Sequence, residues 1–228
     1  MQEVIPGRAG VQVRLEDRKG DQDLTVEAVL VAVGVTGNVD GLGLEAMGIR
    51  PEKGFVPVNE YQQTSVPSVY AIGDVAGPPW LAHVASAEGH VAAEHAAGKN
   101  PRPLRKETIP GCTYCRPEVA SVGLTEAIAR ERFETVNVGR FDFRANGRAL
   151  AAGEGEGFVK LVFAGPYGEL VGAHILGGHA TEMIAELATA MTLEATWAEI
   201  GSIVHPHPTW SEAVMEAALD ARGRAIHH

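Results

Sequence analysis

Three stretches in the second half of the chain limit its possible folds more than any other feature. Residues 135–142, 156–164 and 169–176 are rich in Val, Phe, Leu and Ile and read as strands. The turns AGPYGE and RANGRA separate them, which predicts a mostly antiparallel sheet. VASVG at 119–123 adds a strand, and LTEAIARERF after it reads as a short helix. A further helix begins near His179, with Ala180, Met183, Ile184, Leu187, Ala188 and Met191 on one stripe of helical period. TWAEIGSIV predicts another short helix, and a last one spans roughly 210–222. An antiparallel sheet with flanking helices is an α+β domain.

The first half reads differently. VQVRLED (11–17) alternates apolar and polar residues, RKGDQD (18–23) is a polar turn, and LTVEAVLVAVGV (24–35) becomes almost wholly apolar. A continuous apolar run ending at Gly34 predicts a strand buried on both faces, which needs something to cover it. SVYAIGDVAG (68–77) has the same grammar: a short strand, then Gly73-Asp74, then a Gly/Pro loop. An Ala-rich helix is expected from about 81 to 97, stopping at Gly98. The polar, Pro-containing stretch KNPRPLRKE (99–107) is the best domain boundary in the chain.

Bulk properties exclude whole classes of function. A net charge of −10 over 228 residues argues against a nucleic-acid surface, which is normally basic. No apolar run approaches the roughly 20 residues of a membrane helix. The opening MQEVIPGRAG lacks the apolar centre of a secretion signal. Two cysteines cannot staple a chain of this size. A cytoplasmic protein is expected.

Four places carry candidate chemistry. Asp74, presented after Gly73, can accept two hydrogen bonds from a sugar-like diol, or it can close an ordinary turn. The amides of Leu81, Ala82 and His83 at a helix start can face an anion, or simply water. Cys112 and Cys115 form a C-x-x-C that lacks a second ligand pair for zinc, and two ordinary thiols is the stronger reading. The stretch SIVHPHPTWSEAVMEAAL (202–219) supports two readings held level. Thr209 and Glu212 match a capping box for the last helix. Alternatively, prolines fold His207 back onto Glu212, which orients the imidazole as a general base.

In order along the chain, VLVAVG…N…GLGLE, VYAIGDV, LAHVASAEGHVAAE, IPGCTYCRPEVASVGLTE, GAHILGGHATEMIAE and HPHPTWSEAVMEAALDA resemble the C-terminal half of the dihydrolipoamide dehydrogenase type. That type belongs to the FAD- and NAD-dependent pyridine nucleotide–disulfide oxidoreductases. The resemblance implies an α+β interface domain, with antiparallel sheet and flanking helices, preceded by a partial FAD/NAD-binding α/β central region. Residues 1–36 would be the remnant of an NAD-binding domain, with Gly34 on the nicotinamide side. Residues 37–105 would be a central domain, where Gly73 and Asp74 contact the flavin's ribityl chain and Leu81, Ala82 and His83 face its ring. Residues 106–228 would be the dimerisation domain, through which the chain pairs with itself. His207 would be the acid–base catalyst, oriented by Glu212 and reaching the partner's flavin and disulfide. The His207–Pro208 bond is a candidate for cis.

Departures from the family pattern matter as much. No stretch matches the family's Gly-rich flavin fingerprint, its redox disulfide or the G-x-G-x-x-G of its NAD domain. The expected Arg-Arg-Pro after Gly34 reads Val35-Thr36-Gly37. The chain is therefore expected to need a missing N-terminal half or companion chain, and to be inactive alone. The alternatives are a scaffold module that dimerises or binds the acyltransferase core of a 2-oxo acid dehydrogenase complex, and half of a glutathione or mercuric reductase.

Overall fold

The computed structural model describes residues 3–7, 10–17 and 20–227. It divides into two compact units, 1–101 and 102–228.

In the first unit, β1 (Glu3–Gly7), β2 (Gly10–Asp17) and β3 (Gly20–Val26) form an antiparallel sheet in that order. β2 and β3 are the alternating arms expected of a hairpin; residues 18 and 19 of its polar turn lie outside the described residues. The prediction for 24–35 fails beyond Val26. Residues 27–35 have no regular structure, and Leu30 and Val33 are 90% and 86% exposed. An apolar run becomes a buried strand only where backbone partners and apolar cover exist, and among the described residues this run has neither. The strand expected before Gly73 is also absent. Tyr70 makes a single bridge to Gln63, and Gly73–Ala76 form a turn of 3₁₀ helix. Leu44, Ile49 and Val56 make a small core, with Val66, Val69 and Val75 against it.

The Ala-rich segment forms α1 (Ala82–Ala96) as expected. Its stop works through Gly98, whose left-handed φ of 73° lets its amide donate to the His95 carbonyl. Near that end the His95 ring stacks on Tyr61 with centroids 4.6 Å apart, and its Nδ1 lies 2.8 Å from Tyr70 Oη.

The second unit is the predicted α+β domain. Its strands are β4 (Gly111–Thr113), β5 (Glu118–Gly123), β6 (Val136–Asp142), β7 (Phe158–Ala164) and β8 (Glu169–Gly177). They are ordered β4-β5-β8-β7-β6, with every neighbouring pair antiparallel. α2 (Glu126–Arg132) is capped by Thr125, whose side chain accepts from the Ile128 amide. RANGRA is more than a turn: Asn146 caps α3 (Gly147–Ala152), its Oδ1 accepting from the Ala149 amide at 2.9 Å. An Asn before a short run of good helix formers is an N-cap as readily as a turn residue.

Across the sheet, α4 (Ala180–Thr192) buries Ala180, Met183, Ile184, Leu187 and Met191, the stripe read from the sequence. α5 (Trp197–Ser202) starts with a capping box made by Thr196 and Glu199. α6 (Glu212–Asp220) buries Ala213, Val214, Ala217 and Ala218. It lies so close to β6 that a Cβ on Gly139 would stand 1.8 Å from the Ala217 carbonyl oxygen. Only glycine permits that approach, which lets the second half of α6 pack directly on β6. Buried Glu216 on α6 holds the chain's end: it accepts from the Ile226 amide at 2.8 Å and meets His227 Nδ1 at 2.6 Å.

Candidate acid–base site

The HPHP segment connects α5 to α6. Its last residues turn over the start of α6, and the His207–Pro208 peptide is cis. His207 Nδ1 lies 2.9 Å from Glu212 Oε1, so the spacing of five residues does close on itself. The other carboxylate oxygen, Oε2, accepts from the Thr209 amide at 2.7 Å. The two readings of Glu212 are therefore combined in one side chain. Half of the predicted capping box is missing, however: Thr209 Oγ1 donates back to the Pro206 carbonyl at 2.7 Å, and Ser211 stands at the helix boundary. The hydroxyl bonds within the loop because the loop has already turned it away from the helix.

The charges follow from this geometry. Burial raises the Glu212 carboxyl, but the Thr209 amide and the His207 ring outweigh it and hold the group below the ordinary carboxylate range. At neutral pH Glu212 is thus an acceptor only, so the proton between the two groups sits on His207 Nδ1. Nε2 is then the basic nitrogen. The His207 side chain is 78% exposed, which presents Nε2 outward from its own protomer.

Sequence reasoning missed two supports of this loop. His205, two residues earlier, is buried and has Nε2 2.9 Å from Glu186 Oε1 on α4. Asn146, besides capping α3, donates from Nδ2 to the Thr209 carbonyl at 3.1 Å. These contacts span 19 and 63 residues, beyond any local pattern. The N-cap signal of Asn146 was available; its second bond was not.

The cofactor candidates lie in the other unit. Gly73 has a left-handed φ of 70°, and a Cβ there would meet the Ala85 Cβ at 3.0 Å. Its amide donates to Glu88 Oε2 at 2.7 Å, tying the 3₁₀ turn to α1. Asp74 is exposed in that turn, and Leu81, extended, precedes the first turn of α1 with Ala82 and His83. A carboxylate and a helix start on one short loop fit a ligand bearing hydroxyls and developing negative charge. Gly34 is different: nothing lies within 4 Å of where its Cβ would sit, and the exposed chain around it builds no cradle.

Cys112 and Cys115 are free thiols on the β4–β5 hairpin. Burial first, then the charge of Glu118, pushes the Cys112 thiol up, away from thiolate chemistry. Cys115 Sγ faces the Pro117 carbonyl at 3.1 Å. Among the described residues no group of three or more His, Cys, Asp and Glu is disposed to hold a metal, and no helix is long and apolar enough to cross a membrane.

The second unit is thus an antiparallel α+β domain that carries an exposed imidazole beside a carboxylate. Residues 109–218 match the pyridine nucleotide-disulphide oxidoreductase dimerisation domain, and residues 2–89 match the pyridine nucleotide-disulphide oxidoreductase domain. The chain belongs to the pyridine nucleotide-disulphide oxidoreductase family. It is similar to the dihydrolipoyl dehydrogenase of Rhizobium etli, 48% identical over 225 residues that cover 98% of this chain and 47% of that protein. The dihydrolipoyl dehydrogenase of Zymomonas mobilis is also 48% identical, over 100% of this chain and 49% of its own length. The crystal structure of LpdA from Mycobacterium tuberculosis superimposes with a TM-score of 0.87 at 29% identity, over 95% of this chain and 47% of that one. The chain thus spans about half the length of the relatives it matches.

Proposed function

We propose that this chain forms the central and interface portion of a flavin-dependent dithiol:NAD oxidoreductase of the dihydrolipoyl dehydrogenase type, and that His207 is its acid–base catalyst. One observation carries the reading: an exposed imidazole whose Nδ1 is held 2.9 Å from an ionised carboxylate. Glu212 fixes the tautomer and ring direction. His207 Nε2 then takes the proton from a dithiol substrate, leaving an imidazolium and a thiolate that can attack a disulfide supplied by the complementary half, whose second sulfur departs as a thiolate. On the return the same nitrogen gives the proton back.

Flavin, when bound, supplies a two-electron acceptor. Asp74, Gly73 and the Leu81–His83 helix start would hold parts of it, through a carboxylate, a close backbone approach and amide dipoles. NAD belongs to the reading by family, but the exposed surroundings of Gly34 do not fit a site for it. Alone the chain is not expected to turn over, since Cys112 and Cys115 are unsuited to be the dithiol acceptor. A complementary N-terminal half is part of the reading, as are a cytoplasmic location and three domains with limits at 36/37 and 105/106.

In the complete flavoenzyme, His207→Gln slows flavin reduction by dihydrolipoamide about 10²–10⁴-fold, the range for a lost general base, with flavin content unchanged. Stopped-flow absorbance at the flavin band measures it, and an unaltered rate removes the assignment. Residues 106–228 make the chain a homodimer; sedimentation as a monomer at micromolar concentration would contradict that.

A further inference from the structure

Two residues before His207 stands a second histidine that proton transfer does not use. His205 has 4% of its side chain exposed, against 78% for His207. A buried imidazole needs partners for both nitrogens. His205 has them: Nε2 is 2.9 Å from Glu186 Oε1, and Nδ1 is 3.2 Å from the Ile203 carbonyl oxygen. A carboxylate and a carbonyl both only accept, so both ring nitrogens donate and the ring is an imidazolium. The Glu186 carboxylate raises the His205 pKa, and this outweighs the opposing effect of burial.

The loop has little else to hold its near end. Residues 202–204 and 206–208 are all exposed, so His205 is the one residue of that stretch that turns inward. The far end is secured separately, by Asn146 on the Thr209 carbonyl and by Glu212 on the Thr209 amide. His207 lies between the two attachments.

The geometry points to His205 and Glu186 as a positioning pair, anchoring the near end of the loop to α4 so that His207 meets Glu212 with Nε2 outward. This rests on the reading of His207 as the acid–base group. Without the anchor, the far-end bonds keep the segment attached but leave the imidazole free to turn, and its Nδ1–H tautomer is no longer enforced.

The test has two arms. In the first, ring ¹⁵N shifts of His207 are recorded by long-range ¹H–¹⁵N correlation on the labelled chain. The unaltered chain shows His207 held as the Nδ1–H tautomer. His205→Gln and Glu186→Ala show a mixture of tautomers, and Glu186→Gln, which keeps an acceptor for Nε2–H, recovers most of the original signal. In the second arm, the complete flavoenzyme carrying these changes loses about 10–100-fold in kcat for dithiol oxidation, the scale of a displaced catalytic group, with KM within about twofold. The double variant His205→Gln/Glu186→Ala is no slower than the slower single. Should His205→Gln fail to fold, the two Glu186 variants decide, because that side chain is 32% exposed. An unchanged His207 tautomer and unchanged kcat in folded variants overturn the pair's role. If His207→Gln itself leaves the rate intact, the proposed function fails, while the tautomer arm still decides the positioning.

Discussion

Glu212 joins two structures, and removing it should separate them. Its Oε2 accepts from the Thr209 amide at 2.7 Å, and its Oε1 meets His207 at 2.9 Å. The amide bond is short, charge-assisted and part-buried. Losing it leaves Thr209 N–H without its acceptor at the entry to α6, which costs about 1–2 kcal/mol. The imidazole side contributes little to stability, because His207 is mostly exposed and water competes for it. For a unit of this size, Glu212→Ala should therefore lower Tm by roughly 2–8 °C. Glu212→Gln keeps an oxygen for the Thr209 amide and should lose less than half as much. His207→Gln should shift Tm by no more than about 1 °C. Acid should act like the Ala variant. The folded carboxyl titrates below its unfolded value of 4.5, so its contribution is complete above that pH and disappears as pH falls through the folded value. Thermal unfolding followed by circular dichroism at pH 7 and across pH 3–6 measures all three variants. A Glu212→Ala chain as stable as the original, or a His207→Gln chain equally weakened, would show that the carboxylate does not anchor the loop.

Two further outcomes follow from the same packing. Leu187 on α4 is fully buried against the sheet, so Leu187→Ala should cost about 2–5 kcal/mol in urea unfolding of the second unit. His205 should give the opposite pH dependence to Glu212. Its folded pKa is raised above 6.5 by Glu186, with Glu212 adding to it, so its contribution is whole below about pH 6.5 and is lost as pH rises through the folded value. Tm measured between pH 6 and 9 should fall more for the original chain than for His205→Gln.

The elements read correctly from the sequence share one property: their signal is local. The stripe from Ala180 to Met191 repeats with the helix because those side chains face one sheet, and α4 buries five of its six members. Thr125 begins a helix by bonding an amide three residues on. His207 and Glu212 are five residues apart across a proline-stiffened turn, close enough for their pairing to be anticipated. Where a reading failed, the deciding partner lay elsewhere. Leu30 to Val35 carry the composition of a buried strand but lie exposed, with nothing among the described residues to bury them. Tyr70 makes one backbone bridge, to Gln63, among the described residues, so its segment stops there.

By itself, then, the sequence determined which side chains seek burial, which segments turn, and that an imidazole and an acid lie within reach of each other. Tertiary structure alone decided that His205 would pack its ring against Glu186, that Asn146 would hold the Thr209 carbonyl, and that Gly139 would let α6 lie close on β6. Periodicity and spacing report preferences along one chain segment. A hydrogen bond across 63 residues depends on sheet register and helix placement, which no single segment encodes.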